Sequence, residues 1–102
     1  MEDITVEELK ARLDKGEKVN LVDVREPEEH EAFDIGGQLV PLGRIRIYDI
    51  DELEPLKDEE VIVYCRSGNR SGQAAMLLEN MGFEQVRNLE GGMLKWQEQY
   101  GE

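Results

Sequence analysis

Val61-Ile62-Val63-Tyr64-Cys65-Arg66-Ser67-Gly68-Asn69-Arg70-Ser71 is the stretch on which the reading of this chain turns. Its first five residues are apolar and mostly β-branched, the composition of a strand buried on both faces. Arg66-Ser67-Gly68-Asn69 then makes a tight turn. From about Arg70 the apolar residues Ala74, Leu77, Leu78 and Met81 recur at helical spacing, and Gly82 closes the run. The order is therefore strand, turn, helix, with a cysteine at the carboxyl end of the strand. In open parallel sheets that end is where ligands bind.

The flanks repeat the same alternation. Thr5-Val6-Glu7-Glu8 has the form of a capping box, followed by Val6, Leu9 and Leu13 at helical spacing and a stop at Gly16. Val19 to Val24 reads as a buried strand, and Pro27 with Glu28 and Glu29 opens a short helix broken by Gly36-Gly37. Gln38 to Pro41 forms a further short strand, and a loop or helical turn runs from Arg44 to Asp51. Gln85 to Leu89 makes a last strand, and Met93, Trp96 and Tyr100 form the core-facing stripe of a final helix. Strands alternating with helices, several of them continuously apolar, predict an α/β domain with a mainly parallel sheet covered on both faces.

The chain has 102 residues, of which 39% are hydrophobic and 6% aromatic, so one domain over residues 1–102 with an aliphatic core is expected. The formal net charge of −12 excludes nucleic acid and anionic membrane as natural partners. No apolar stretch approaches the ~20 residues that a membrane span requires, and a cytoplasmic location is expected. The single cysteine allows no internal disulfide, which suits a reducing compartment. One cysteine and the one histidine, His30, do not make a structural zinc site, so no metal is expected.

The loop carries the chemistry. An isolated cysteine ending a strand would be a small core residue. Here two arginines and a glycine follow within the same turn. Gly68 accepts a positive φ, Asn69 tolerates unusual angles, and the loop can turn amides inward at a helix N-terminus. Arg66 and Arg70 add positive charge, and Arg70 can offer a planar fork to an anion. Each feature favours thiolate over thiol at Cys65, which makes it the expected nucleophile.

Three stretches together resemble the rhodanese-like sulfurtransferases, in their single-domain form. They are Leu21-Val22-Asp23-Val24-Arg25-Glu26-Pro27-Glu28-Glu29, Cys65-Arg66-Ser67-Gly68-Asn69-Arg70-Ser71, and Leu89-Glu90-Gly91-Gly92-Met93 through Trp96. The resemblance covers almost the whole chain. It implies a central, mainly parallel five-stranded sheet flanked by helices, with Cys65 as the persulfide-forming residue. It also implies a small-molecule sulfane-sulfur donor such as thiosulfate, a thiophilic acceptor such as cyanide or a biological thiol, and no cofactor. Residues Arg66, Ser67, Gly68, Asn69 and Arg70 would contact substrate or persulfide, and Asp23 would support the loop. Arg25 either lines the rim or pairs with a nearby glutamate; Arg44 and Arg46 either contribute to a basic mouth or pair at the surface. Many relatives carry a His-Ile pair where this chain has Asp34-Ile35, and His30 does not replace that histidine. Ile35 to Gly43 is similar to rhodanese modules fused to adenylating enzymes, which suggests a sulfur-carrier-pathway protein as partner.

Two other functions compete. A cysteine phosphatase or arsenate reductase also uses a thiolate and an arginine, but the related phosphatases place five residues between them. This chain has four, Arg66 to Asn69, and Tyr64 precedes the nucleophile where those enzymes usually carry histidine. A persulfide carrier that works only with a partner protein would use the same residues as a free-standing enzyme. A purely structural binding module has no need for the intact loop.

Overall fold

The computed structural model describes residues 2–101. Five strands form one parallel sheet: β1 (Glu2–Ile4), β2 (Leu21–Asp23), β3 (Gln38–Leu39), β4 (Glu60–Tyr64) and β5 (Gln85–Leu89), in the order β1-β5-β4-β2-β3. Every pairing is parallel, so each crossover must pass over a face of the sheet. The helices are α1 (Val6–Asp14), α2 (Pro27–Ala32), α3 (Leu42–Arg46), α4 (Asn69–Asn80) and α5 (Gly92–Tyr100). A 3-10 helix covers Asp51–Leu56.

The apolar run in β4 divides residue by residue between two cores, as the two-residue period of a strand requires. Val61, Val63 and Cys65 face Ala74, Ala75 and Leu78 of α4, together with Ile45 and Leu53. Ile62 and Tyr64 face the other way, against Leu9, Met93 and Trp96. The continuous apolar signal thus arises from burial on both faces. Thr5 caps α1 as expected: its Oγ1 accepts the Glu8 N–H at 3.1 Å, and Glu8 Oε1 accepts the Thr5 N–H at 3.1 Å.

Two elements are not legible beforehand. β1 is three residues long and buries only Ile4, too little for any periodicity to show. The acidic stretch from Asp51 is helical because Leu53 is anchored in the core while Asp51, Glu52 and Glu54 remain in solvent. Tyr100, expected on the core stripe of the final helix, lies at its exposed end, edge-on to Trp96 at 5.1 Å.

Tyr64 is fully buried and its hydroxyl is used twice. It donates to Asp34 and accepts the Gly37 N–H at 3.1 Å, fastening the segment between α2 and β3 to the centre of the sheet. Burial first, and then Asp34, push the phenol well above its ordinary range, so it stays a neutral donor. Tyr64→Phe leaves Asp34 and the Gly37 amide short of a partner. The expected loss is about 1–2 kcal/mol of stability, read as a thermal midpoint lowered by roughly 5–10 °C with the Cys65 thiol still reactive.

Candidate active site

β4 ends at Tyr64, and the chain turns through residues 65–68 into α4. Gly68 makes the turn in the left-handed region, φ 101°, which glycine enters without steric cost. The first amides of α4 and its preceding loop then point back at the end of β4. Cys65 Sγ accepts the Gly68 N–H at 3.1 Å, the Ser71 N–H at 3.4 Å and the Ser71 hydroxyl at 3.3 Å. Burial pushes the thiol up, but hydrogen bonds from the Ser71 hydroxyl and the amides of Ser71, Gly68 and Ser67 outweigh it. The net result is a pKa below that of an ordinary cysteine.

Ser71 has one hydroxyl proton and two acceptors within reach, Cys65 Sγ and Asn88 Oδ1. In the thiol state the S–H can donate to Ser71 Oγ while Ser71 donates to Asn88. In the thiolate state the hydroxyl turns its proton to sulfur. Asn88 in turn donates to the Gly68 carbonyl at 3.0 Å, so β5 holds the turn of the loop as well as the hydroxyl. Neither Ser71 nor Asn88 stands out as a site residue in the sequence reading. A signal was present for Ser71, which is the one polar member of the buried α4 face shared with Ala74, Ala75 and Leu78.

The loop is held from behind by α5. Its first amides donate to the loop carbonyls, Met93 N–H to Cys65 O at 2.9 Å and Leu94 N–H to Arg66 O at 2.9 Å. This contact requires a glycine at 92. Its φ is 54°, and a Cβ there would stand 2.5 Å from Cys65 O and 2.7 Å from Arg66 O.

Of the arginines, Arg70 holds a partner that the sequence reading does not foresee. Arg70 does offer a planar fork, but it grips Glu29 of α2, Nη1 to Oε1 at 2.7 Å and Nη2 to Oε2 at 2.9 Å. Arg70 first, with help from the Glu26 amide, holds the Glu29 carboxyl down at about 2. Arg66 is exposed, as are Ser67 and Asn69, and Arg66 is in no ion pair among the described residues. Arg44 pairs with Asp49 and Glu52 at the surface, and Arg46 donates to Gln73 of α4.

Asp23 is fully buried at the end of β2, in register with Tyr64, but its carboxylate does not reach the loop. It accepts both prongs of Arg25, at 2.9 and 2.8 Å, and the Arg25 amide at 3.0 Å. His30 Nδ1 lies 2.8 Å from the same carboxylate. Arg25 also donates to the Phe33 carbonyl; its carboxylate partner is Asp23 and not a glutamate, and it lines the depression beside the loop as well. Asp23, His30 and Asp34 bring their ligand atoms within 4.8 Å of one another. These atoms are already engaged by Arg25 and Tyr64, which makes the group a hydrogen-bonded chain and not an open ligand set. A shallow depression of about 210 Å³ lies beside the loop, lined by Arg25, Glu29, Phe33, Arg66, Met93 and Leu94.

Two outcomes follow for the loop. The rate of Cys65 alkylation by iodoacetamide, followed against pH, should inflect below the pH of a free cysteine. In Ser71→Ala the inflection should move upward, because the largest of the lowering hydrogen bonds is lost. Gly92→Ala combines a positive φ with a backbone collision and should cost about 2–4 kcal/mol, seen in denaturant unfolding.

The same architecture recurs in known proteins. The model of the rhodanese-like domain matches residues 5–99. A sulfurtransferase of Allochromatium vinosum is 39% identical over 100 residues, covering 92% of this chain and 86% of that protein. The putative sulfur carrier protein YrkF of Bacillus subtilis is 36% identical over 97 residues, covering 92% of this chain and 50% of that one. The chain therefore spans half of that protein's length, and a smaller share of other curated relatives that it matches. The human single-domain sulfurtransferase superposes with a TM-score of 0.79 at 27% identity, covering 96% of each chain. With its parallel five-stranded sheet and its cysteine loop between β4 and α4, this chain belongs to the rhodanese-like sulfurtransferase family.

Proposed function

We propose that residues 1–102 act as one rhodanese-like domain in which Cys65 carries sulfur as a persulfide. The observation that supports this reading most is the convergence of the Gly68 amide, the Ser71 amide and the Ser71 hydroxyl on one atom, Cys65 Sγ. Such a cradle stabilises a compact sulfur anion. With thiosulfate as donor, the Cys65 thiolate attacks the outer sulfur and a new S–S bond forms. The old S–S bond breaks, and sulfite leaves with the bonding pair. The resulting Cys–S–S⁻ has one more atom in line and the same charge, so the amides that serve the thiolate, Gly68 and Ser71, serve it too, with the other amides of residues 66 to 70 around its outer sulfur. Cyanide or a biological thiolate then attacks the terminal sulfur, leaving with it and restoring the Cys65 thiolate. Asp23 and Arg25 act at a distance, by fixing the neighbouring strand end.

A tetrahedral phosphoryl group brings three oxygens to its cradle and needs a wider loop. The four residues between Cys65 and Arg70 leave the amides close around a single atom. The acceptor is a small thiophile or a sulfur-carrier-pathway protein, the latter supported by the name of the Bacillus subtilis relative. No helix among the described residues is long and apolar enough to cross a membrane. A reducing, cytoplasmic setting would keep Cys65 as a thiol between turnovers.

Intact mass after incubation with thiosulfate should show a gain of one sulfur atom, removed by reductant. Cys65→Ser should lose both the adduct and the transfer of sulfur to cyanide. Aryl phosphate hydrolysis should be absent in both proteins. Cysteine-dependent phosphatase activity without sulfur transfer would reverse the assignment.

A further inference from the structure

The Arg70–Glu29 pair has a consequence for which donor the site accepts. An inorganic donor such as thiosulfate brings two negative charges to a sulfur that is itself anionic, so it needs a cation at the mouth. Arg70 bears on Cys65, but the Nη1/Nη2 fork of its guanidinium is taken by the Glu29 carboxylate at 2.7 and 2.9 Å. A carboxylate and a sulfonyl group compete for the same fork geometry. Glu26 also bears on Arg70. Arg25, the other cation facing Glu29, is committed to Asp23 at 2.8 and 2.9 Å. Arg66 alone is in no ion pair at this rim among the described residues. The mouth thus has one positive charge to spare, beside a depression whose walls include the apolar Phe33, Met93 and Leu94.

We infer that Glu29 is a specificity residue that holds Arg70 away from dianions and makes the site favour organic sulfane donors of low charge, hydropersulfides above all. This rests on the persulfide reading given above. With such a donor, R–S–SH, the Cys65 thiolate attacks the terminal sulfur, the S–S bond of the donor breaks, and RS⁻ leaves with the bonding pair. Cys65 then carries S–SH, and charge and atoms balance. The organic group R has the apolar side of the depression, Phe33, Met93 and Leu94, to occupy, and no second negative charge has to be placed against Glu29.

Glu29→Gln tests this, and the substitution spares the fold. Glu29 Oε1 accepts the Glu26 N–H at 3.1 Å in the capping box of α2, and glutamine retains that acceptor. Two donors that react alike but differ in charge are compared with cyanide as acceptor: thiosulfate, which releases sulfite, and methanethiosulfonate, which releases methanesulfinate. In the variant kcat/KM should rise about tenfold for the dianion and roughly threefold for the monoanion. A second readout needs no sulfur transfer: the rate of Cys65 alkylation by anionic iodoacetate divided by that by neutral iodoacetamide. That ratio should rise several-fold in Glu29→Gln. Equal changes for both donors with a fixed alkylation ratio would overturn the inference and make Glu29 a mere anchor for Arg70. A shifted alkylation ratio in a protein that transfers no sulfur would instead sink the persulfide reading and leave the charge gate standing.

Discussion

The end of β4 is gripped on two sides, and the rest of the site depends on that grip. On one side the start of α4 directs amides and a hydroxyl at Cys65 Sγ. On the other the start of α5 takes the carbonyls of Cys65 and Arg66 at 2.9 Å. The side chain and main chain of Cys65 are therefore each satisfied by a helix N-terminus, where unpartnered N–H groups are available. The two demands act on the side chain and the carbonyl of the same residue, so the loop has little freedom to relax. Gly92 is the condition for this arrangement, because any side chain there would part α5 from the loop.

A second, polar belt supports the neighbouring strand end. Arg25, Asp23, His30, Asp34, Tyr64 and the Gly37 amide form a continuous chain of contacts running from β2 to the segment before β3. Asp23 is buried without exposure, so its charge must be answered locally, and the two-pronged Arg25 contact does so. The guanidinium also lies over the Tyr64 ring at 5.9 Å. The belt makes no contact with Cys65 Sγ. Its part is to hold the turn after β2 against the face of the sheet opposite α4, so that α2 can present Glu29 to Arg70.

How much of this the sequence disclosed follows from what each signal consists of. The β4–loop–α4 unit is legible because a buried parallel strand, a glycine turn and a helical stripe are strong patterns within a single short window, and Cys65 falls at their junction. The capping box at Thr5 and proline at the start of α2 are equally local, and both are as expected. The Arg70–Glu29 pair joins residues 41 apart, and a helix rich in acids gives no sign of which one will be chosen. The lowered thiol is expected, and so is the part played by loop amides; the Ser71 hydroxyl, the largest of the lowering hydrogen bonds, is not among the expected sources. β1 escapes notice because an edge strand of three residues exists only through its partner, β5.

The weight carried by these contact donors bears on how an acidic protein can lower a thiol's pKa at all. A net charge of −12 disfavours every anion near the surface, over a screening distance of about 8 Å at physiological salt. Arginines could oppose that field, but most are neutralised in place: Arg12 by Glu17 and Glu60, Arg25 by Asp23, Arg44 by Asp49 and Glu52, Arg70 by Glu29. Hydrogen-bond donors at 3.1 to 3.4 Å from sulfur act well inside the screening distance, in a buried site where neither water nor salt competes with them. The stabilisation of sulfur is thereby separated from the selection of what approaches it. Contact dipoles favour an anionic sulfur, and the few charges left at the rim are not needed for that purpose. A loop that relied on free arginines for both purposes could not adjust one without disturbing the other.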